Sequence, residues 1–191
     1  YGGVSTYWIN LLKNLNFDKN NYYYYTSKNQ FDDFFPIKNI YESGLFNKLP
    51  INFKRCFPSF SSYGINDYLI FHSSYYRINL SNKISNVVTV HDFITEKFNQ
   101  YNKFSQWMKN LAINNASHLI CVSNSTKVDL MHYHPNISEE KISVIYHGSS
   151  DEIYFTRSTD LIDHYSYLNK PFILFIGQRG SYKNFNYCLD L

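Results

Sequence analysis

Cysteine is scarce in this chain of 191 residues, and so is charge. The three cysteines, Cys56, Cys121 and Cys188, are odd in number and form no CxxC pair. This usage excludes a disulfide scaffold, gives no ligand spacing for a metal ion, and fits a reducing, cytoplasmic compartment. The seven glycines and five prolines exclude a collagen-like or low-complexity chain.

Charge of one sign and long hydrophobic runs are also lacking. A formal net charge of +3 is too small and too scattered to favour nucleic acid as a partner. No apolar run approaches the roughly 20 residues that a membrane-spanning helix needs. Aromatic residues are plentiful instead, and the 44% hydrophobic content is typical of a folded globular chain.

Hydrophobic periodicity predicts alternating strands and helices. Short apolar runs predict strands at 21–26, 68–71, 86–90, 119–122, 142–145 and 172–176. Helical spacing predicts a helix over 4–15, one over 104–115, and one that Ser123 caps. The second helix has apolar residues on one side, at Phe104, Trp107, Met108, Leu111 and Ala112. Short connections between these elements are typical of βαβ units. We therefore predict an α/β fold with a Rossmann-like parallel sheet.

The segment 171–184 is typical of a phosphate-binding turn. It is predicted to form a buried strand, a turn at Gly177 that carries Arg179 and Lys183, and the start of a helix. A helix N-terminus attracts anions, and two cations beside it favour a diphosphate. The alternative is an exposed basic turn.

Histidines follow two of the predicted strands. His72 and His91 each stand at the carboxyl end of a strand, where open α/β sheets bind ligands. His91 could hydrogen-bond a ligand there, or it could be a capping residue that Asp92 holds. The other histidines show no ligand spacing, so no metal site is predicted.

Two further segments carry open alternatives. Gly2 and Gly3 would let backbone N–H groups approach a phosphate, or they would only form a turn before the first helix. The stretch 44–60 mixes Lys48, Lys54 and Arg55 with aromatic side chains. It could rest on an anionic membrane surface, or it could be a solvated loop.

Four motifs in order along the chain resemble one enzyme family. They are Gly2-Gly3-Val4 before a helix, the strand at 87–90 ending in His91-Asp92, the strand and helix at 116–130, and 141–148 followed by 172–183. Together they resemble the retaining nucleotide-sugar glycosyltransferases of family 4. These enzymes have the GT-B architecture, in which two Rossmann-like domains face each other across a cleft. The nearest likeness, with His72 to Arg77 adding to it, is to bacterial mannosyltransferases that build surface polysaccharides such as O-antigen.

The resemblance implies a domain organisation. Residues 1–150 would be the N-terminal, acceptor-side domain without its first strand, 151–170 a linker, and 171–191 the first βα unit of a truncated donor-binding domain. The family's paired glutamates would follow Leu191. We therefore expect a fragment that does not catalyse transfer by itself. His147 departs from the family pattern, in which an Asn is common before the Gly.

The resemblance also implies an activity. A hexose, with mannose from GDP-mannose as the first choice, would pass from a nucleotide diphosphate sugar to a glycan or lipid-linked acceptor, without a metal ion or other cofactor. The enzyme would be cytoplasmic, with a possible peripheral contact at the inner face of the plasma membrane. The alternatives are a non-catalytic sugar- or nucleotide-binding relative and a GT-B sugar-nucleotide epimerase.

Site residues follow from the same resemblance. The donor diphosphate would contact Gly2, Gly3, Gly177, Arg179 and Lys183. His91 would be the catalytic-site histidine that positions the reacting sugar. On the acceptor side the candidates are His72 and Asp92.

Overall fold

The structure is a computed structural model that describes residues 3–15, 69–73, 75–100, 102–148, 171–177, 179–180 and 183–190. Gly2, the predicted strand at 21–26, the basic segment 44–60 and the predicted linker 151–170 lie outside the described residues. The chain divides into two compact units, 1–147 and 148–191.

The described residues of the first unit form a four-stranded parallel sheet. Its strands are β1 (Leu69–Ser73), β2 (Ile84–Val90), β3 (His118–Cys121) and β4 (Ile142–Val144). They lie in the order β1-β2-β3-β4, and every neighbouring pair is parallel. Parallel pairing requires crossover connections, and helices supply those on either side of β3. The predicted α/β class with a Rossmann-like sheet is confirmed.

The helices lie close to their predicted positions, apart from a short one that the sequence did not indicate. The first unit contains α1 (Gly3–Asn14), α2 (Ile94–Lys97), α3 (Lys103–Asn114), α4 (Asn124–Tyr133) and a 3-10 turn (Glu139–Lys141). The Asn102 side chain caps α3 by accepting a hydrogen bond from the Phe104 N–H at 2.9 Å. Ser123 caps α4 as predicted, since its hydroxyl accepts from the Thr126 N–H at 3.1 Å.

The core lies between the sheet and the helices that cover it. Alternate side chains of β2 and β3 are buried, among them Val88, Val90, Leu119 and Cys121, and they pack with Leu130 of α4. Alternation of this kind follows from the two-residue period of a strand.

Only part of the apolar side predicted for α3 is buried. Phe104 and Trp107, which belong to that side, are 46% and 55% exposed. The buried residues are Met108, Lys109, Ala112 and Ile113. The buried face therefore includes Lys109, which pairs with a buried carboxylate in the interior.

In the second unit, the described residues show a helix but no paired strand. Helix α5 (Phe185–Leu189) lies near the predicted position. Residues 171–176, predicted to contain a buried strand, have no strand partner among the described residues. Ile173 and Ile176 are 70% and 84% exposed. A strand forms only against a neighbour, and the described part of this unit supplies none. Across the described residues, no helix has the length and apolarity to span a bilayer.

Candidate functional site

The carboxyl edge of the parallel sheet brings together aromatic and hydroxyl side chains from four elements. His72 comes from the end of β1, Thr89 and His91 from the end of β2 and the residue after it, and His147 from beyond β4. Tyr7 and Trp8 of helix α1 contact His147 and His72, respectively, and each other. We call these six residues the strand-end cluster. Ligands of open α/β sheets bind at this edge.

A chain of hydrogen bonds runs through the buried hydroxyl of Thr89. Its Oγ1 lies 2.8 Å from Nε2 of His72 and 3.4 Å from the hydroxyl oxygen of Tyr7. Thr89 is 5% exposed, so these partners satisfy a hydroxyl that water reaches poorly. The bond to Thr89 fixes the imidazole of His72, and the bond between Thr89 and Tyr7 joins α1 to the sheet.

Ring contacts complete the cluster. The ring centroid of Tyr7 lies 5.3 Å from that of His91 and 5.1 Å from that of His147, both edge-to-face. The two imidazoles are stacked with their centroids 6.1 Å apart. Trp8 meets His72 edge-on at 4.7 Å. These distances are those at which aromatic pairs stabilise each other.

His72 and His91 favour their neutral form. Burial lowers the pKa of His72 to about 4, and the nearby His91 contributes in the same direction. Burial also lowers the pKa of His91, as does His147, whereas Asp92 acts in the opposite direction. A neutral imidazole can both donate and accept a hydrogen bond, which suits contact with an uncharged hydroxyl.

The segment that carries His91 is held through its backbone. The His91 carbonyl accepts a hydrogen bond from the Thr126 hydroxyl at 3.4 Å. Asp92 is exposed, and its Oδ1 accepts from the Ile94 N–H at 3.2 Å at the start of α2. The alternative prediction was that the Asp92 side chain holds His91. The interaction seen between them is electrostatic: the Asp92 carboxylate raises the pKa of His91.

The remaining predicted donor-site residues that the structure describes lie at chain turns. Gly3 is the first residue of α1, with open space around the position of a Cβ atom. Gly177 has φ +139°, which L side chains rarely adopt. The Arg179 guanidinium lies 4.7 Å from the ring centroid of Phe185, and the Lys183 N–H donates to the Gly180 carbonyl at 2.9 Å. The side chains of Arg179 and Lys183 are exposed.

Four members of the strand-end cluster were not predicted: Tyr7, Trp8, Thr89 and His147. Thr89 lies inside an apolar strand, where Thr is common for its β propensity. His147 follows a predicted strand, and that position was the available signal. Within the described ranges, no group of three His, Cys, Asp or Glu side chains could hold a metal ion.

Comparisons with known proteins identify the family. The family model described as Glycosyltransferase Family 4 matches residues 1–152, which cover the strand-end cluster and most of the chain. Comparisons with curated proteins and with solved structures gave no significant match. The chain belongs to glycosyltransferase family 4.

Proposed function

We propose that this protein is a retaining glycosyltransferase that moves a hexose from a nucleotide diphosphate sugar to a hydroxyl of a glycan or lipid-linked acceptor. The observation that carries the proposal is the strand-end cluster, in which His72 and His91 present neutral imidazoles at the carboxyl edge of the sheet in a chain of this family.

His91 is the residue we assign to the reacting sugar. Departure of the nucleoside diphosphate leaves positive charge at the anomeric carbon, as in other glycosyl transfers. A protonated imidazole would oppose that charge, whereas the lowered pKa of His91 keeps the ring neutral. A neutral His91 hydrogen-bonds a sugar hydroxyl and leaves the developing charge undisturbed.

His72 and Asp92 are assigned to the acceptor side. The bond between Nε2 of His72 and Thr89 holds the imidazole in one orientation. The exposed carboxylate of Asp92 can accept a hydrogen bond from an acceptor hydroxyl.

The donor diphosphate is assigned to Gly2, Gly3, Gly177, Arg179 and Lys183. The leaving diphosphate accumulates negative charge, and exposed cations stabilise it electrostatically. The two cations perform this role without a metal ion. Glycines at positions 2 and 3 would let backbone N–H groups approach a phosphate oxygen.

Mannose from GDP-mannose is the donor we propose first, for the synthesis of a surface polysaccharide such as O-antigen. A lipid-linked acceptor would place the enzyme at the cytoplasmic face of the plasma membrane as a peripheral protein. The support for these finer assignments is the likeness of the motifs to bacterial mannosyltransferases.

A donor screen on the complete protein tests the proposal. GDP-mannose, UDP-glucose and UDP-galactose are each supplied with a lipid-linked acceptor, and mass spectrometry detects the extended acceptor and the released nucleotide. We expect His91→Ala and Arg179→Ala each to lower kcat/KM roughly 100-fold, the scale for losing a group that stabilises the transition state. The matched control is His118→Ala, because His118 starts β3 at the opposite edge of the sheet. It should stay within about twofold of wild type.

Other outcomes would contradict the proposal in distinct ways. Donor binding without transfer to any acceptor would support a non-catalytic binding relative. An epimerised sugar nucleotide without transfer would support an epimerase. Transfer that His91→Ala leaves at the wild-type rate would remove the role assigned to that residue.

A further inference from the structure

Lys109 is a charged residue in the core that the proposed chemistry does not use. It is 5% exposed, on the buried face of α3 beside Met108, Ala112 and Ile113. A buried ammonium group is costly unless it is paired and hydrogen-bonded. Its contacts therefore show what the fold gains by placing a lysine there.

The contacts of Lys109 all lie on or beside the segment that follows β2. Its Nζ lies 2.7 Å from Oε1 of Glu96 in α2 and donates to the Asp92 carbonyl at 2.6 Å. It also lies 3.9 Å from the ring centroid of Phe93, which is a cation–π distance. Burial raises the pKa of Glu96, but the hydrogen bonds from Lys109 and Thr95 outweigh it and leave that pKa below its ordinary value. The Glu96 carboxylate therefore stays charged.

The same segment starts at His91. The backbone of His91 is held from two further directions, by the Thr126 hydroxyl and by a hydrogen bond with the Tyr76 side chain. The ring of Tyr76 lies 5.5 Å from the Lys109 ammonium. Tyr76 adopts φ 30°, an uncommon conformation for an aromatic residue, of the kind that persists where surrounding contacts over-determine the backbone.

We infer that Lys109 is a positioning residue that orients His91 by tying the Asp92 carbonyl and the Glu96 carboxylate to α3. This inference rests on the proposed function only in giving His91 a role toward the sugar. A purely stabilising role explains the arrangement less well, since apolar residues of similar volume often replace a buried ion pair without loss of stability. What apolar residues cannot replace is the hydrogen bond to the Asp92 carbonyl.

The test is the charge-neutral double variant Glu96→Gln/Lys109→Met, which leaves no unpaired ion in the core. Imidazole signals are followed by NMR after assignment with His91→Ala. We expect the His91 signal to shift and the Overhauser contact between the rings of His91 and Tyr7 to weaken. The charges that affect the pKa of His91 are those of His147 and Asp92, so a shifted signal would report a moved ring. The kcat per folded molecule of the complete protein should fall about tenfold, as expected for a displaced catalytic group.

The matched control is Lys127→Met/Glu139→Gln, which removes a Lys–Glu pair between α4 and the 3-10 turn. It should leave the His91 signal in place. In a second variant, Glu96→Gln alone, the amide oxygen still accepts a hydrogen bond from the Lys109 ammonium. The His91 signal should therefore shift in the same direction as in the double variant, but by a smaller amount. An unmoved His91 signal in whichever of the two variants folds, or an equal shift in the control pair, would overturn the inference. If the wild type transfers no sugar, the proposed function fails, while the NMR result still decides whether Lys109 orients His91.

Discussion

The imidazole of His72 couples folding to pH. It is half-buried, bonded to Thr89 and edge-on to Trp8. Its pKa is lowered from 6.5 to about 4, so the unfolded chain binds a proton more readily than the folded one between those values. Stability therefore rises with pH in that window. The contribution of a neutral His72 is fully present above pH 6.5 and is lost as the pH falls toward 4.

We predict that the free energy of unfolding falls between pH 7.5 and pH 4.5 and that His72→Gln reduces this fall. The pKa difference sets an upper bound on the order of 3 kcal/mol for the contribution of His72. Urea unfolding, followed by tryptophan fluorescence at several pH values, measures it. The control is His132→Gln, which removes an exposed histidine of α4. An equally steep fall in wild type and His72→Gln would contradict the assignment.

Candidate site residues could be predicted where the sequence placed them at the end of a strand. His72 and His91 end strands, and the structure brings them into one cluster. Thr89 bonds both His72 and Tyr7, and the ring of Tyr7 contacts that of His91. Thr89 itself was hidden, because a Thr in an apolar strand is ordinary. Lys109 was not predicted to be buried, because a lysine on a helix is expected at the surface. Only its ion pair with a carboxylate on another helix brings it inside.

Among the helices, α4 depends visibly on its first turn. The Ser123 hydroxyl accepts from the Thr126 N–H, which satisfies one of the donors that a helix start leaves open. We predict that Ser123→Ala lowers the free energy of unfolding by about 1 kcal/mol. Ser125→Ala is the matched control: Ser125 is exposed in the same turn, and Ala favours the helix interior. Thermal and urea unfolding would separate the two, and equal effects would contradict the capping role.

Elements with a full period were predictable, and very short ones were not. Helix α3 covers 12 residues, which is enough for its spacing to be recognised, yet its apolar pattern did not indicate that Lys109 is buried. Helix α2 has four residues, too few to show a 3.6-residue period. The Glu96 that it positions was consequently missed as well.

Over the whole first unit, sheet topology explains why the candidate site forms. In a parallel sheet every strand presents its carboxyl end at the same edge, so residues far apart in the sequence converge there. The contact of Tyr7 with His147 joins residues from the beginning and the end of this unit's sequence. The sequence predicts the sheet and its ligand-binding edge. It does not predict which side chains of α1 reach that edge, because that depends on how the helix packs.

The two units should differ in hydrogen exchange, and the last prediction concerns this difference. Residues 87–90 and 173–176 are both mostly apolar. The first segment lies in a strand that is paired on both sides, and the second has no strand partner among the described residues. We predict slow exchange for the amides of 87–90 and exchange near the intrinsic rate for 173–176, since local opening governs protection. Exchange followed by NMR or mass spectrometry on the 191-residue chain measures both. Equal protection would mean that 172–176 is a paired strand in solution, as its sequence predicts.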